Sequence, residues 1–442
     1  MSDLKIEWGL ILRKGLTAVC LLPVLVVTGV GLLAMSSSLD NEQISENLYT
    51  DREYFQYGRP PAFNGRKVDV GTECLGMSFG LASRKIDESW FGYAVRAPVI
   101  NDCNSLLSRL AANIGVNNNE ETSRSFQLQD IPYFDYFRYW HGYAAISRPA
   151  LSVLPYRDFR MLVFNGMLVL FFLLGRRLYR DFGAGFAFAF FLPFLIINYA
   201  GFLTLWTKAV SWIVALVGAL IVSDNASKQR QTELPLLAFF MLGAATAYFD
   251  WLTVPLFMLM FPALVFFLYR FRFGLTTKPL QQFIQFATIN AFWVLGYTSF
   301  FASKFLLAVF VMGPGSFETI RRTISYRIRG AYESVSPWPG AGISENFEAF
   351  KTFWGIIVVV CFIIAPLAKA ERRQKLWTIA RENPAFLLIA ISPFVWWEVL
   401  SNHSQIHAIF THALLVLFLI PMSLTLFNQW PTPQIDTNRS EV

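Results

Sequence analysis

Among the carboxylates between the first apolar run of the chain and the second, three are candidates for chemistry: Asp40, Asp69 and Glu73. A carboxylate in a fixed position takes the proton from an attacking hydroxyl, and a transfer reaction built on that step also needs cations where the leaving group departs. Glu73 is the expected base, with Asp69 and Asp40 as the other candidates. Asp69 and Glu73 lie four residues apart in the string DVGTEC, 69–74, and share one face if that segment is helical. The cations that could hold an anionic group such as a phosphate are His403, His407, Lys304 and Lys208, joined by Arg321 and Arg322. His403 and His407 have i, i+4 spacing on one helical face at the start of the last apolar run. Such a pair can hold a metal, but without a neighbouring carboxylate motif hydrogen-bond donation to a phosphate suits it better, so neither a metal nor a cofactor is expected.

Two further stretches carry charge among apolar residues. In 130–160 aromatic rings alternate with Asp135, Arg138, His141, Arg148, Arg157 and Arg160. That pattern suits a membrane-interface platform for sugars or phosphates, and an ordinary aromatic belt has the same composition. Arg138, Trp140 and His141 in this run, with Asp250 farther on, are the expected substrate contacts. In 317–329, Phe317, Ile320, Ile324 and Ile328 recur at helical spacing among Arg321, Arg322, Arg327 and Arg329, which predicts an amphipathic helix lying in the interface.

The elements that must position these groups are membrane spans. The chain has 442 residues, of which 55% are hydrophobic and 15% charged, more apolar surface than a water-soluble fold of this length hides. Runs near the roughly 20 residues needed to cross a hydrocarbon core recur along it, and they lack the alternation of barrel strands, which selects an all-α transmembrane bundle. About ten spans are expected, at 15–35, 159–175, 184–202, 209–222, 234–249, 252–268, 283–302, 353–367, 384–400 and 408–427. Every second connection is basic: Arg176, Arg177 and Arg180; Lys228 and Arg230; Arg270 and Arg272; Lys369, Arg372, Arg373 and Lys375. The positive-inside rule places these in the cytosol with both termini, and accounts for most of the net charge of +7 without a nucleic-acid partner.

The chain then divides into 1–35, a cytoplasmic segment and a retained first span; 36–158, a large outer loop; 159–303, spans two to seven; 304–349, a second outer segment with the interfacial helix; 350–428, spans eight to ten; and 429–442, a cytoplasmic tail. All four histidines then fall at or near the outer face, as do Lys208, Asp250, Lys304 and Glu398. Ionisable groups at such depths usually line a cavity or pathway. Cys20 and Cys361 fall within spans. Cys74 and Cys103 share the large loop, where an extracytosolic setting permits a disulfide, although two cysteines carry no spacing signature.

The arrangement resembles the GT-C superfamily of membrane glycosyltransferases. More narrowly, DVGTEC (69–74), RYWHGY (138–143), FDWLTVP (249–255), GYTSFFASKF (296–305) and NHSQIH (402–407) resemble pieces of bacterial membrane proteins of this type associated with surface polysaccharides. The resemblance implies sugar transfer from a polyprenyl-phosphate donor to a glycan or lipid acceptor at the outer face of a bacterial inner membrane, by a catalytic acid in the first outer loop. In that superfamily the acid commonly follows closely on the first span. Asp40 has that position, and Glu73 lies more than thirty residues farther on. Two rivals stand beside it: an oligosaccharide polymerase, which also has about ten spans and takes a lipid-diphosphate oligosaccharide, and a lipid-linked glycan transporter or flippase, which needs charge through the depth of the bundle and access from both faces.

Overall fold

The computed structural model describes residues 8–57, 69–116, 131–197, 205–229, 234–275, 278–329, 335, 338–348, 357 and 359–432. Its first helix, α1 (Trp8–Ser37), has 30 residues and so runs for about 45 Å, ample for a hydrocarbon core of roughly 30 Å. A folded cap comes next, built from α2 (Asn41–Tyr49), α3 (Arg52–Tyr57), α4 (Val70–Met77), α5 (Trp90–Arg96), β1 (Pro98–Ile100), α6 (Cys103–Asn113), β2 (Tyr133–Asp135) and α7 (Ala144–Leu151). β1 and β2 pair antiparallel, with Val99 opposite Phe134. Cys74 and Cys103 are joined in a disulfide that ties α4 to α6. Buried Arg96 bridges Glu88 at 2.7 Å and Asp135 at 2.6 Å. Buried Arg148 donates to the carbonyls of Ser36 and Phe79 and to Asn41 Oδ1, at 2.8, 3.0 and 2.8 Å, which seats the cap on the end of α1.

The bundle continues with α8 (Tyr156–Phe182), α9 (Ala184–Ile196), α10 (Trp206–Gln229), α11 (Leu236–Phe249), α12 (Pro255–Arg272) and α13 (Pro279–Met312). α14 (Gly315–Arg329) and α15 (Ala341–Glu348) lie outside it. A π-helical turn at Val359–Ile364 runs into α16 (Ala365–Ala368), and α17 (Ala370–Glu382), α18 (Pro384–Val399), α19 (Ser401–Ile406), α20 (Ala408–Thr411) and α21 (Val416–Leu426) complete the chain. Six stretches are long and apolar enough to cross a membrane: α1, α8, Trp206–Asp224 of α10, α12, α13 and the composite Ala408–Leu426. Four shorter apolar helices, Ala184–Leu195, Leu236–Phe249, Val359–Ala368 and Pro384–Val399, fall where the sequence predicts other spans. α11 and α13 cross closely because Gly243 and Gly296 each face the other helix's backbone; a side chain on either would collide with the carbonyl of Trp293 or Phe240.

Side-chain bonds join the helix ends into two poles. At one, Arg177 pairs with Asp224 at 2.6 Å, Tyr269 donates to Asp181, Arg272 donates to the Thr432 carbonyl and Lys375 donates to Asn428, so the ends of α8, α10 and α12 gather with the stretch after α21, which also holds α17. At the other lie the cap, the start of α10, the turn at Asp250 and α19.

The structure corrects three sequence expectations here. Lys304 does not end a span, since α13 continues eight residues beyond it to Met312. His403 and His407 do not share an unbroken helix: α19 stops at Ile406, and His407 has φ −113° and ψ 23°. The aromatic run in 130–160 is not an open platform, because Tyr136, Phe137, Tyr139, Trp140 and Tyr143 are all buried between cap and bundle. Residues 353–356 and 358 of the span expected at 353–367, the side chains of Arg327, Ile328 and Arg329, and the tail from 433 onward lie outside the described residues.

Candidate functional site

The short helix α4 aims both of its acids at the first turn of α10. Asp69 is its N-cap, accepting from the Thr72 amide at 3.1 Å and from the Thr72 hydroxyl at 2.5 Å, the arrangement that favours Asp at a helix start. Gly76 lets α4 press against α10, where any side chain would run into Thr207. Glu73, wholly buried, takes the orphan amides of Trp206 and Thr207 at 3.0 Å each, the Thr207 hydroxyl at 2.6 Å and the Tyr156 hydroxyl at 2.5 Å. These two amides belong to a helix N-terminus, which favours a negative charge. With four donors on two oxygens Glu73 is occupied as a tie between cap and bundle, and the expected role of base does not fit its surroundings.

Asp69 is differently placed. Its side chain keeps 22% of its surface exposed, and Lys208 Nζ, itself 2% exposed, lies 3.4 Å from Oδ2. Burial pushes the Asp69 carboxyl up, but Lys208, the two Thr72 bonds and a smaller contribution from His407 outweigh it and hold the carboxyl below the ordinary aspartate value. The same ammonium sits 3.6 Å from the centroid of the Phe410 ring, against which the His407 imidazole stacks at 5.0 Å. His403 and His407 stay together despite the helix break, with ring centroids 4.6 Å apart. His403 Nε2 is 2.7 Å from the Leu252 carbonyl in the turn that also carries Asp250. Asp250 Oδ1 accepts from Ser211 at 2.7 Å and from the Val254 amide at 3.2 Å, while its buried Oδ2 has no hydrogen-bond partner among the described residues. The fold therefore brings together Asp69, Lys208, His403, His407 and Asp250 from four separate parts of the chain.

Leu252 leads on to an apolar groove of about 280 Å³, lined by Tyr139, Tyr297, Phe301, Ile320 and Trp396 among others. It shares Arg138 and Thr323 with a polar cavity of about 370 Å³, whose other walls are Thr319, Arg322 and Tyr326. Arg138 lies against the Tyr136 ring at 4.4 Å, and its Nε is buried without a hydrogen-bond partner among the described residues. The roof of both spaces is α14, the amphipathic helix expected from the sequence. It buries Ile320 and exposes Arg321 and Arg322, and the Asn402 amide donates to its Tyr326 carbonyl.

Other predicted residues are engaged elsewhere. Asp40 is an exposed N-cap of α2, accepting from the Glu42 amide at 3.0 Å. Lys304 donates to the carbonyls of Ala94 and Val95 at 3.2 and 2.8 Å, stabilising the end of α5 in place of a phosphate. Trp140 is 1% exposed and donates to the Phe300 carbonyl at 2.8 Å, so it packs the cap onto α13 and does not face a substrate. His141 is fully buried, with Nδ1 2.8 Å from the Tyr143 hydroxyl and Nε2 2.8 Å from the Tyr136 carbonyl. Burial holds it near pKa 3, and Lys304 and Arg138 push the same way against the Tyr136 bond, so it is a neutral structural imidazole. Arg321 pairs with Glu318 at the surface at 2.8 Å, whereas Arg322 makes the same pairing and also walls the polar cavity.

Sequence reasoning missed Thr72, Thr207, Tyr156 and Phe410. Thr72 alone carried a signal, as the residue three beyond an Asp that opens a helix. No family model matches the chain, and no curated protein or solved structure matches it either.

Proposed function

We propose that the protein is a membrane glycosyltransferase of GT-C type that moves a sugar from a polyprenyl-phosphate donor to a glycan or lipid acceptor at the outer face of a bacterial inner membrane. The observation that carries this reading is the Asp69–Lys208 pair, a partly open carboxylate held ionised 3.4 Å from a buried ammonium. Asp69 is the base in place of Glu73: it takes the acceptor hydroxyl proton as the acceptor oxygen bonds to the anomeric carbon and the bond from that carbon to the phosphate oxygen breaks. Lys208 and His407 lie on the same side as Asp69 and steady charge there. The groove beside Leu252 has the shape and lining for a prenyl chain, and Arg138 and Arg322 stand where its phosphate would emerge.

In this reading ten helices cross the membrane, six long and four short, and the cap is outside. The Cys74–Cys103 disulfide favours an oxidising side for the cap, and the gathered arginines of the far pole favour the cytosol for both termini. Purified wild type and Asp69→Asn, reconstituted in vesicles with a panel of radiolabelled polyprenyl-phosphate sugars and membrane extract, test it. Release of free polyprenyl phosphate by wild type, with a loss of about a hundredfold or more in the variant, supports the transferase and its base together. No turnover of any donor, or equal turnover by both proteins, sinks it.

A further inference from the structure

Buried Asp250 presents one carboxylate oxygen with no hydrogen-bond partner among the described residues, and an orphaned buried carboxylate oxygen is costly. Its other oxygen accepts from Ser211, which stands three residues after Lys208 on α10 and therefore one turn along the same face. Asp250 thus stands on the face of α10 that carries Lys208, acting on the ammonium through its charge but with no ion pair to it, and it does so from the turn between α11 and α12, while Asp69 pairs with the ammonium from the cap. The other titratable groups facing this cluster are Glu73, already satisfied by α10, Tyr297 of α13, and His403 and His407 at the break between α19 and α20.

We infer that Asp250 is the second partner of the Lys208 ammonium, a positioning carboxylate that keeps the cation in place when Asp69 takes up a proton. The inference rests on Asp69 acting as the base. During transfer the acceptor proton moves to Asp69, the acceptor oxygen bonds to the anomeric carbon, and the electron pair of the broken carbon–oxygen bond leaves with the phosphate. Asp69 is then neutral, and an ammonium buried with no other counter-charge would be stranded. Asp250, touching neither sugar nor phosphate, holds the ammonium through its open oxygen until Asp69 sheds the proton. The same charge keeps Lys208 from committing itself wholly to Asp69, which leaves Asp69 basic enough to work.

Carbodiimide labelling of Asp69, which requires the protonated acid, reads this without any turnover. Peptide mass spectrometry across a pH series gives the labelling midpoint in wild type and in Asp250→Asn, which keeps the Oδ1 acceptor. Removing the second negative charge lowers the Asp69 midpoint by about half a unit to one unit. An unchanged or raised midpoint overturns the proposal. Thermal unfolding supplies the second arm: Lys208→Met strands two carboxylates, so adding Asp250→Asn to it raises the unfolding midpoint, whereas additive losses count against the pairing. A lowered labelling midpoint with no sugar donor turned over leaves the pairing standing and removes the transferase reading alone.

Discussion

Lys208 reaches Asp69 at 3.4 Å from the position directly after the two residues whose amides bind Glu73, so one turn of α10 receives both acids of α4 and treats them differently. Glu73 meets backbone and hydroxyl donors that never move away. Asp69 meets one flexible side chain and keeps an open edge. The difference between a fastening and a reactive group is set here by what each oxygen touches, since the two residues lie only four positions apart in the chain.

The cation at Asp69 fixes the pH range in which a base works there. With Lys208 present the carboxyl lies below the ordinary aspartate value, so turnover persists on acidification until the pH drops beneath that range. Lys208→Met leaves burial as the dominant influence, and the acidic limb of kcat then moves upward by about one pH unit or more. A pH–rate profile on the reconstituted protein checks the direction; a limb that stays put removes Asp69 from the role of base.

Glu73→Gln replaces one acceptor oxygen with an amide nitrogen that faces donors it cannot accept from. Because the group is fully buried, with Trp206, Thr207 and Tyr156 around it, the expected loss is about 3 kcal/mol of stability. The folded fraction keeps its turnover within about tenfold, unlike Asp69→Asn. Thermal unfolding followed by tryptophan fluorescence, together with activity normalised to folded protein, separates the two. A Glu73 variant that folds at the wild-type temperature and is inactive returns the base to Glu73.

The membrane character was legible because apolar runs and basic connections report on solvent and topology directly, with no tertiary knowledge. The helical pairing of Asp69 with Glu73 was legible for a similar local reason. Lys304 and Trp140 were misread because their partners, the carbonyls of Ala94, Val95 and Phe300, lie far away in sequence and belong to the backbone, which has no residue type to recognise. His141 looked like a site histidine because the rings that bury it, Phe79 and Trp251, lie far away in sequence. The coming together of Lys208 with Asp69 and of His403 with Leu252 depends on how α10 and α19 seat against cap and turn. Spacing alone does not encode that.

The burial of His141 has a consequence for stability that its sequence neighbours do not share. In the folded protein its pKa is near 3, and in the unfolded chain it returns to about 6.5. Between those values the unfolded chain binds a proton that the native state refuses, so stability rises with pH and is lost as pH falls from about 6.5 toward 3, by about 1.4 kcal/mol per unit from this group. Above 6.5 the group contributes no slope. Asn is the informative replacement, because residue 141 has φ +60°, a left-handed conformation that Asn tolerates better than most residues. His141→Asn loses the ring contacts with Phe79 and Trp251, so its unfolding temperature at pH 7 is lower than that of wild type. Its decline from pH 6.5 to 4.5 is nevertheless shallower, because the titrating group has gone. Asp69 does not confuse the comparison, since its stabilisation is lost only as pH passes down through a value below the ordinary aspartate range. Unfolding temperatures of both proteins at half-unit intervals decide the matter: equal slopes mean that position 141 does not take up a proton on unfolding in this window, and a shallower slope in the variant places the neutral imidazole in the native fold.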